Sequence, residues 1–244
     1  MTSEIKELVA LGFPSFEDNY EKNLNTFTNF IKQSSKNSII VAPELCLSNF
    51  SFSKLQKAHE FSQEALKEIL KLSYDKTIAF SMIEKRDDKY YNCAKILHDN
   101  KIIHSQDKVE LFKLGDEHHY FQAGEKEKIK IVQIDGLKVA ILICFEVRFI
   151  EFWQMIKGAD IIMVPALWGK PRKEHLIAIT KALAIINQAF VIVANSSNEN
   201  MAASSGIITP FGKEIRDDNL EYISIKADLK EIKKMRKYIN IGLT

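Results

Sequence analysis

The sequence predicts a mixed α/β fold on three observations: short, nearly continuous apolar runs that read as strands covered on both faces, amphipathic helical stripes between them, and one hairpin signature that requires antiparallel pairing. The apolar runs are SIIVAPEL at 38–45, KVAILIC at 138–144, DIIMVPALW at 160–168 and FVIVANS at 190–196.

In chain order, the opening MTSEIKELVALGF carries acidic residues and only a short apolar stretch, so an export signal is not expected. Tyr20, Leu24, Phe27 and Ile31 fall on one face of a helix. Ser53 and Gln56 have the spacing of a capping box, and Ala58, Phe61, Ala65, Ile69 and Leu72 predict an amphipathic helix of about five turns. It leads into the strand KTIAFSMIEK. YYNCAKILHD and KIIHSQ, joined by Asp99 and Asn100, predict a hairpin. The following SQDKVELFKLGDEHHYFQAGE is weak in periodicity and rich in functional groups, which predicts an ordered loop framing a site. Pro171 opens a helix with the stripe Leu176, Ile179, Leu183 and Ile186. IITPFG reads as a strand ending in a turn, EYISIKA as another strand, and a last helix begins near Asp228. In that helix Leu229, Ile232 and Met235 should face inward, with Lys230, Lys233, Lys234, Arg236 and Lys237 in solvent.

Of the 244 residues, 46% are hydrophobic and 27% charged, and the 9 Gly and 5 Pro are scattered, so one domain is expected over residues 1–244. A net charge of +2 creates no single-sign field to recruit nucleic acid or an anionic membrane. No apolar run approaches the ~18 residues that span a bilayer. Three cysteines, Cys46, Cys93 and Cys144, are too few for a disulfide framework, which points to free thiols in a reducing cytoplasm.

In α/β sheets, sites gather beyond the carboxyl ends of strands. The four runs end in Glu44, Cys144, Trp168 and Asn195, and Lys108 follows the KIIHSQ strand. A thiol in ILICFEVRF is by itself more often a small buried hydrophobe. Its position where the apolar run stops, with Glu146, Arg148 and Glu151 beginning a helix whose N-terminus would favour a thiolate, opens a reactive reading as well. Cys46 and Cys93 lack that context and read as structural. Glu44, ending an apolar run, is either a surface residue after a strand or a buried carboxylate, which costs several kcal/mol unless partnered or protonated and whose raised pKa would suit a general base. Lys108 is either one more surface cation or that partner. Arg148 either holds a substrate carboxylate through its bidentate fork or pairs with Glu146 or Glu151. Trp168 is either a pocket wall or a core cap. Glu117, His118 and His119 carry no metal-ligand spacing, so no metal is expected.

VAPEL (41–45), QDKVELF (106–112) and ILICFEVRF (141–149) resemble the three signatures that carry the Glu, Lys and Cys triad of the nitrilase, or carbon–nitrogen hydrolase, superfamily. DEHHYFQAGE, PALWGKPRKEH, ALAIINQAFVIVANSS and SSGIITPFGKEI extend the similarity over nearly the whole chain. The resemblance implies a four-layer α-β-β-α sandwich with mixed sheets, a homodimer joined through helices beside the site, a small-molecule amide substrate, and no cofactor. It implies Cys144 as nucleophile, Glu44 as general base then acid, Glu117 as the second glutamate, and Lys108 with the Phe145 N–H as the oxyanion hole. Arg148 and Phe149 after Cys144 look like the branch of omega-amidases and deaminated glutathione amidases, and the DEHHY and Trp168 segments like the omega-amidase type. The implied reaction removes ammonia from the terminal amide of a 2-oxo dicarboxylic acid monoamide such as 2-oxoglutaramate. Alternatives are a deaminated glutathione or N-carbamoyl compound amidohydrolase, or a non-catalytic interaction protein on the same fold. Phe145 stands where Tyr is common in the family, Glu146 where Asp is, Ile150 where Pro is, and Leu183 where Arg is frequent. The first and last of these departures are expected to alter the polarity of the pocket.

Overall fold

Residues on successive positions of a strand face opposite sides of a sheet, so an uninterrupted apolar strand needs cover on both. The computed structural model describes residues 5–243 and shows how that cover is arranged. In β1 (Ile5–Leu11), Leu8 and Ala10 join one core cluster while Val9 and Leu11 join another. The alternation repeats in β2 (Ile39–Val41) and β3 (Thr77–Arg86): Ile39, Val41 and Ala79 go to the first cluster, Ile40, Ile78 and Phe80 to the second. The second cluster is completed by Leu24, Phe27 and Ile31 of α1 (Tyr20–Gln33) and by Ala65, Leu66 and Ile69 of α2 (Leu55–Leu72). The first is completed by another sheet.

The first sheet has the order β12-β1-β2-β3-β4-β5, with β4 at Lys89–His98, β5 at Lys101–Asp107 and β12 at Tyr222–Asp228. β1, β2 and β3 pair in parallel; β3, β4 and β5 form an antiparallel meander, and β12 lies antiparallel to β1. The second sheet has the order β11-β10-β9-β8-β7-β6. Its centre, β7 (Leu137–Ile141), β8 (Ile161–Ala166) and β9 (Phe190–Asn195), is parallel. The antiparallel strands β6 (Val132–Ile134), β10 (Gly206–Ile208) and β11 (Glu214–Arg216) extend it. Phe152 and Trp153 of α4 (Ile150–Met155) and Leu176, Leu183 and Ala184 of α5 (Lys173–Asn187) pack on this sheet. The expected α-β-β-α layering with mixed sheets is what the chain forms.

Local differences from the sequence expectations have physical causes. The strand runs are shorter than their apolar stretches: β2 ends at Val41, two residues before Pro43, and β7 at Ile141, so Glu44 and Cys144 sit on turns beyond the strand ends. The capping box at Ser53 and Gln56 does not form. Residues 52–54 make a 3₁₀ turn, no side chain caps α2, and the Gln56 amide donates to Glu60 instead. The hairpin between β4 and β5 turns on Asp99 and Asn100 with φ of 52° and 62°, the left-handed pair that a type I′ turn requires. Strands β1, β6 and β11 escaped the sequence reading. β6 and β11 each have only three residues and lie toward a sheet edge.

The stripe of α5 runs through Leu176, Thr180, Leu183, Ala184 and Asn187, while Ile186 is 56% exposed. Leu183 packs in the core rather than against the pocket. In α6 (Lys230–Tyr238), Ile232 and Met235 are buried as expected, but Arg236 is not solvated. Its Nη1 donates to Asp160 at 3.0 Å and its Nη2 to the carbonyl of Ala159 at 2.8 Å, tying the last helix to the entry of β8. Among the described residues no helix is long and apolar enough to cross a membrane. Replacing Arg236 with Met should strand Asp160 and two carbonyls and lower stability by about 2–3 kcal/mol, read as a shift of the urea midpoint at unchanged slope.

Candidate active site

Four of the residues singled out in the sequence converge where the two sheets meet. Glu44 lies on the turn after β2, fully buried, with its N–H donating across the sandwich to the carbonyl of Ala166 at the end of β8, 3.2 Å away. The turn is also held by the Leu45 N–H on Ser81 Oγ at 2.9 Å. Oε1 of Glu44 accepts from Lys108 Nζ at 2.7 Å and from Asn92 Nδ2 at 2.8 Å. Among the described residues Oε2 has no hydrogen-bond partner.

Lys108 immediately follows β5 and is completely buried. Its ammonium also donates to Glu117 Oε1 at 2.7 Å, and Glu117 Oε2 accepts the Phe112 N–H at 3.1 Å, closing the loop between β5 and the short helix α3 (Glu117–Tyr120). Burial by itself would favour the neutral amine, but the surrounding carboxylates and the thiol outweigh it and hold Lys108 protonated, its pKa above the ordinary value. Burial, partly offset by Lys108, raises that of Glu117. His118 and His119 point away from this cluster: both are exposed, with rings 3.9 Å apart, so they do not join Glu117 as a ligand set. Among the described residues the group that could offer converging metal ligands is Glu84, Cys93 and Asp107. Its carboxylates are already neutralised by Lys95 at 2.8 Å and Arg86 at 2.5 Å.

Cys144 opens a 3₁₀ turn, Cys144–Arg148, with φ of 50°. A β-carbon-bearing residue in the left-handed region costs on the order of 1–2 kcal/mol and persists only where neighbours over-determine it. The brace here is Glu146. Its two oxygens accept the N–H of Ile143 at 2.6 Å and of Val109 at 2.7 Å, so one buried carboxylate links the turn carrying the thiol to the residue after Lys108. Glu146 therefore serves the backbone rather than pairing with Arg148. The Leu167 N–H donates to the Cys144 sulfur at 3.5 Å. Burial, then the charge of Glu44, raises the Cys144 pKa well above the ordinary thiol value, against the opposing pull of Lys108. This runs against the expected helix-assisted thiolate: the turn is short, and burial with the neighbouring carboxylate favours the neutral thiol. Cys46 and Cys93 are buried free thiols, also raised by burial.

The thiol opens into a pocket lined by Phe112, Phe145, Arg148, Leu167, Trp168 and Arg172. Phe145 packs its ring on Phe112 and Phe149, with centroids 5.1 and 5.2 Å apart. Arg148 forms neither of the ion pairs considered from sequence. Glu146 faces inward and Glu151 lies 3.9 Å from Lys126, while the Arg148 guanidinium sits 4.5 Å from the Trp168 ring and hydrogen-bonds His175 Nδ1. Trp168 serves both roles considered for it: it is 3% exposed, belongs to the core and walls the pocket. Its backbone is clamped by Asn195, whose Oδ1 accepts the Trp168 N–H at 2.6 Å and whose Nδ2 donates to its carbonyl at 3.2 Å. Asn92, Phe112, Leu167 and Arg172 went unnoticed in the sequence reading. Asn92 alone left a signal there, an amide in the middle of a β-rich run.

A buried thiol facing a carboxylate with one free oxygen, beside a fixed ammonium, can form and cleave an acyl bond without a metal ligand set. Fold and site together fit a hydrolase of amide bonds. The chain belongs to the carbon–nitrogen hydrolase family, whose model matches residues 9–237. It is an enzyme that acts on the carbon–nitrogen bond of amides. The 2-oxoglutaramate amidase of Bacillus subtilis (strain 168) is 30% identical over 96% of this chain and 92% of its own length. An omega-amidase of Escherichia coli (strain K12) is 27% identical over 79% of this chain and 77% of its own. Among solved structures, a nitrilase superfamily member from Saccharomyces cerevisiae superposes with a TM-score of 0.83 at 21% identity, covering 98% of this chain and 95% of that one. An amidase from Nesterenkonia sp. gives 0.79 at 14% identity, covering 96% of each.

Burial pushes the Glu146 carboxyl up to about 7 from 4.5, against the lowering effect of its two N–H donors. The folded state therefore keeps a proton that the unfolded chain releases. The resulting stabilisation is complete below pH 4.5 and is lost as pH rises through 7, a span worth about 3 kcal/mol. The melting temperature should fall between pH 5 and pH 8 in the native protein, and Glu146→Gln should flatten that dependence.

Proposed function

We propose that Cys144 is the nucleophile of this amidase, Glu44 its general base and then acid, Lys108 and the Phe145 N–H its oxyanion hole, and Glu117 the group that aims Lys108. The observation that carries this reading is the division of labour within Glu44: one oxygen is held by Lys108 and Asn92, the other is free and buried. Because the thiol rests neutral, its proton must pass to Glu44 as the sulfur attacks the amide carbon. The C=O π pair moves to oxygen, where the ammonium and the N–H meet it. The first amides of a helical turn have no intrahelical acceptor, which leaves the N–H of Phe145 suited to that task. Glu44 then protonates the departing nitrogen, the C–N bond breaks, and ammonia leaves a thioester on Cys144. Water, deprotonated by Glu44, attacks the thioester; the C–S bond breaks, the acid departs and the thiol regains its proton. Glu117 accepts one Lys108 hydrogen bond and so restricts the ammonium to the side facing Glu44 and the thiol.

For the substrate, we favour the terminal amide of a 2-oxo dicarboxylic acid monoamide such as 2-oxoglutaramate. The support is the similarity to 2-oxoglutaramate amidase and omega-amidase, together with Arg148 at the pocket, without an acidic partner among the described residues, and Trp168 as its wall. The reducing cytoplasm suits three free thiols. A homodimer is supported by an apolar surface shared by α5, the β10–β11 turn and the end of α6, where Ile185, Ile186, Phe211, Tyr238 and Ile239 are exposed and the Phe211 and Tyr238 rings lie 6.5 Å apart.

Ammonia release from 2-oxoglutaramate should fall roughly ten-thousandfold or more in Cys144→Ala and roughly a hundred- to thousandfold in Lys108→Met. Normal turnover in folded Cys144→Ala would refute the nucleophile. In solution, light scattering should give about twice the 28.0 kDa chain mass, and Ile186→Glu should shift it toward a single chain.

A further inference from the structure

Two guanidinium groups, not one, face the pocket of the Cys144 sulfur. Arg172 lies in the 3₁₀ turn Lys170–Arg172 that leads into α5 and lines the same pocket as Arg148. Its guanidinium lies 5.1 Å from the Phe112 ring, much as that of Arg148 lies 4.5 Å from the ring of Trp168. The absence of a side chain on Gly169 allows this approach, since a β-carbon there would stand 3.3 Å from Arg172 Nη2. The two charges feel each other: after burial, Arg172 is the next cause lowering the Arg148 pKa.

Among the described residues no carboxylate lies within ion-pair distance of either group. The nearby acids are engaged elsewhere, Glu146 on backbone N–H groups, Glu151 toward Lys126 and Asp218 with Lys173. Aromatic faces compensate part of each charge while leaving N–H groups at the edge, for Arg148 those other than the Nη2 that meets His175. Like charges held close with no anion from the chain leave a place for an anion brought by the ligand.

We infer that Arg172 is a specificity-determining residue that, with Arg148, grips the substrate carboxylate distal to the scissile amide. A carboxylate has about four lone-pair sites, enough for a fork from each side. The substrate class is then a short linear amide whose far end is a carboxylate, the reach from the Cys144 sulfur to the two forks setting the chain length. This inference rests on the amidase reading above and on its distal carboxylate.

The test compares glutaric acid monoamide with its methyl ester, equal in length and differing in the distal charge, on the native enzyme, Arg172→Gln, Arg172→Lys and Arg148→Gln. The native enzyme should prefer the acid in kcat/KM. Arg172→Gln should reduce that preference about tenfold or more, mainly through KM. Arg172→Lys, which keeps the charge but loses the fork, should fall between, and the salt dependence of KM for the acid should weaken in Arg172→Gln. A native preference left intact by both Arg172 variants overturns the role of Arg172 alone, and equal losses on acid and ester assign it to structure. A native enzyme with no preference for the acid overturns this inference together with the distal-carboxylate reading, and leaves the chemistry of Cys144 standing.

Discussion

The ammonium of Lys108, sealed between Glu44 and Glu117, is the contact on which the site geometry rests. An unpaired ammonium at zero exposure is prohibitively costly, and each carboxylate would be almost as costly without it. The three groups come from the turn after β2, the end of β5 and the start of α3. Pairing them therefore aligns two strand ends and a loop at once. Asn92, reaching from β4 to the same Glu44 oxygen, adds a fourth segment of the same sheet.

The thiol arrives from the other sheet. Its alignment with the charged cluster depends on how the sandwich closes, and the structure carries polar stitches across that seam. Glu44 donates to Ala166, Gln106 reaches the Ile141 carbonyl at 3.4 Å, and Ser205 Oγ donates to the Leu11 carbonyl at 3.2 Å. Glu146 is the nearest of these links to the chemistry, since it touches the backbone on both sides of the seam. A longer side chain than the Asp common in the family at this position still makes both bonds, and Phe145 without a hydroxyl is seated among aromatic rings.

Much of this was legible in the chain itself. Unbroken apolar runs announced a sheet buried on both faces, and the strand-end rule brought Glu44, Lys108 and Cys144 forward before any geometry was known. What escaped detection depends on contacts between distant segments. Asn92 is a poor strand residue retained for a carboxylate 48 positions away, and Arg236 reads as one of five cations on a helix until its partner Asp160 is placed. Glu146 sits two residues from the thiol, yet its bond to Val109 is a matter of sheet packing. Short edge strands such as β6 and β11 have too few residues to show a period. Strand ends misled by two or three positions because buried turns, like strands, are apolar.

The neutral state of Cys144 bears on how such a protein survives. Oxidants and alkylating agents consume the thiolate, not the thiol, and they do so in proportion to its exposure. Cys144 is only 6% exposed, and burial with a neighbouring carboxylate raises its pKa, which lowers the share of thiolate such reagents can meet. In the proposed mechanism, nucleophilicity appears only when a carbonyl occupies the pocket and its developing negative charge gives the proton a reason to move. In that scheme the burial that shields the resting thiol also reserves its proton for Glu44.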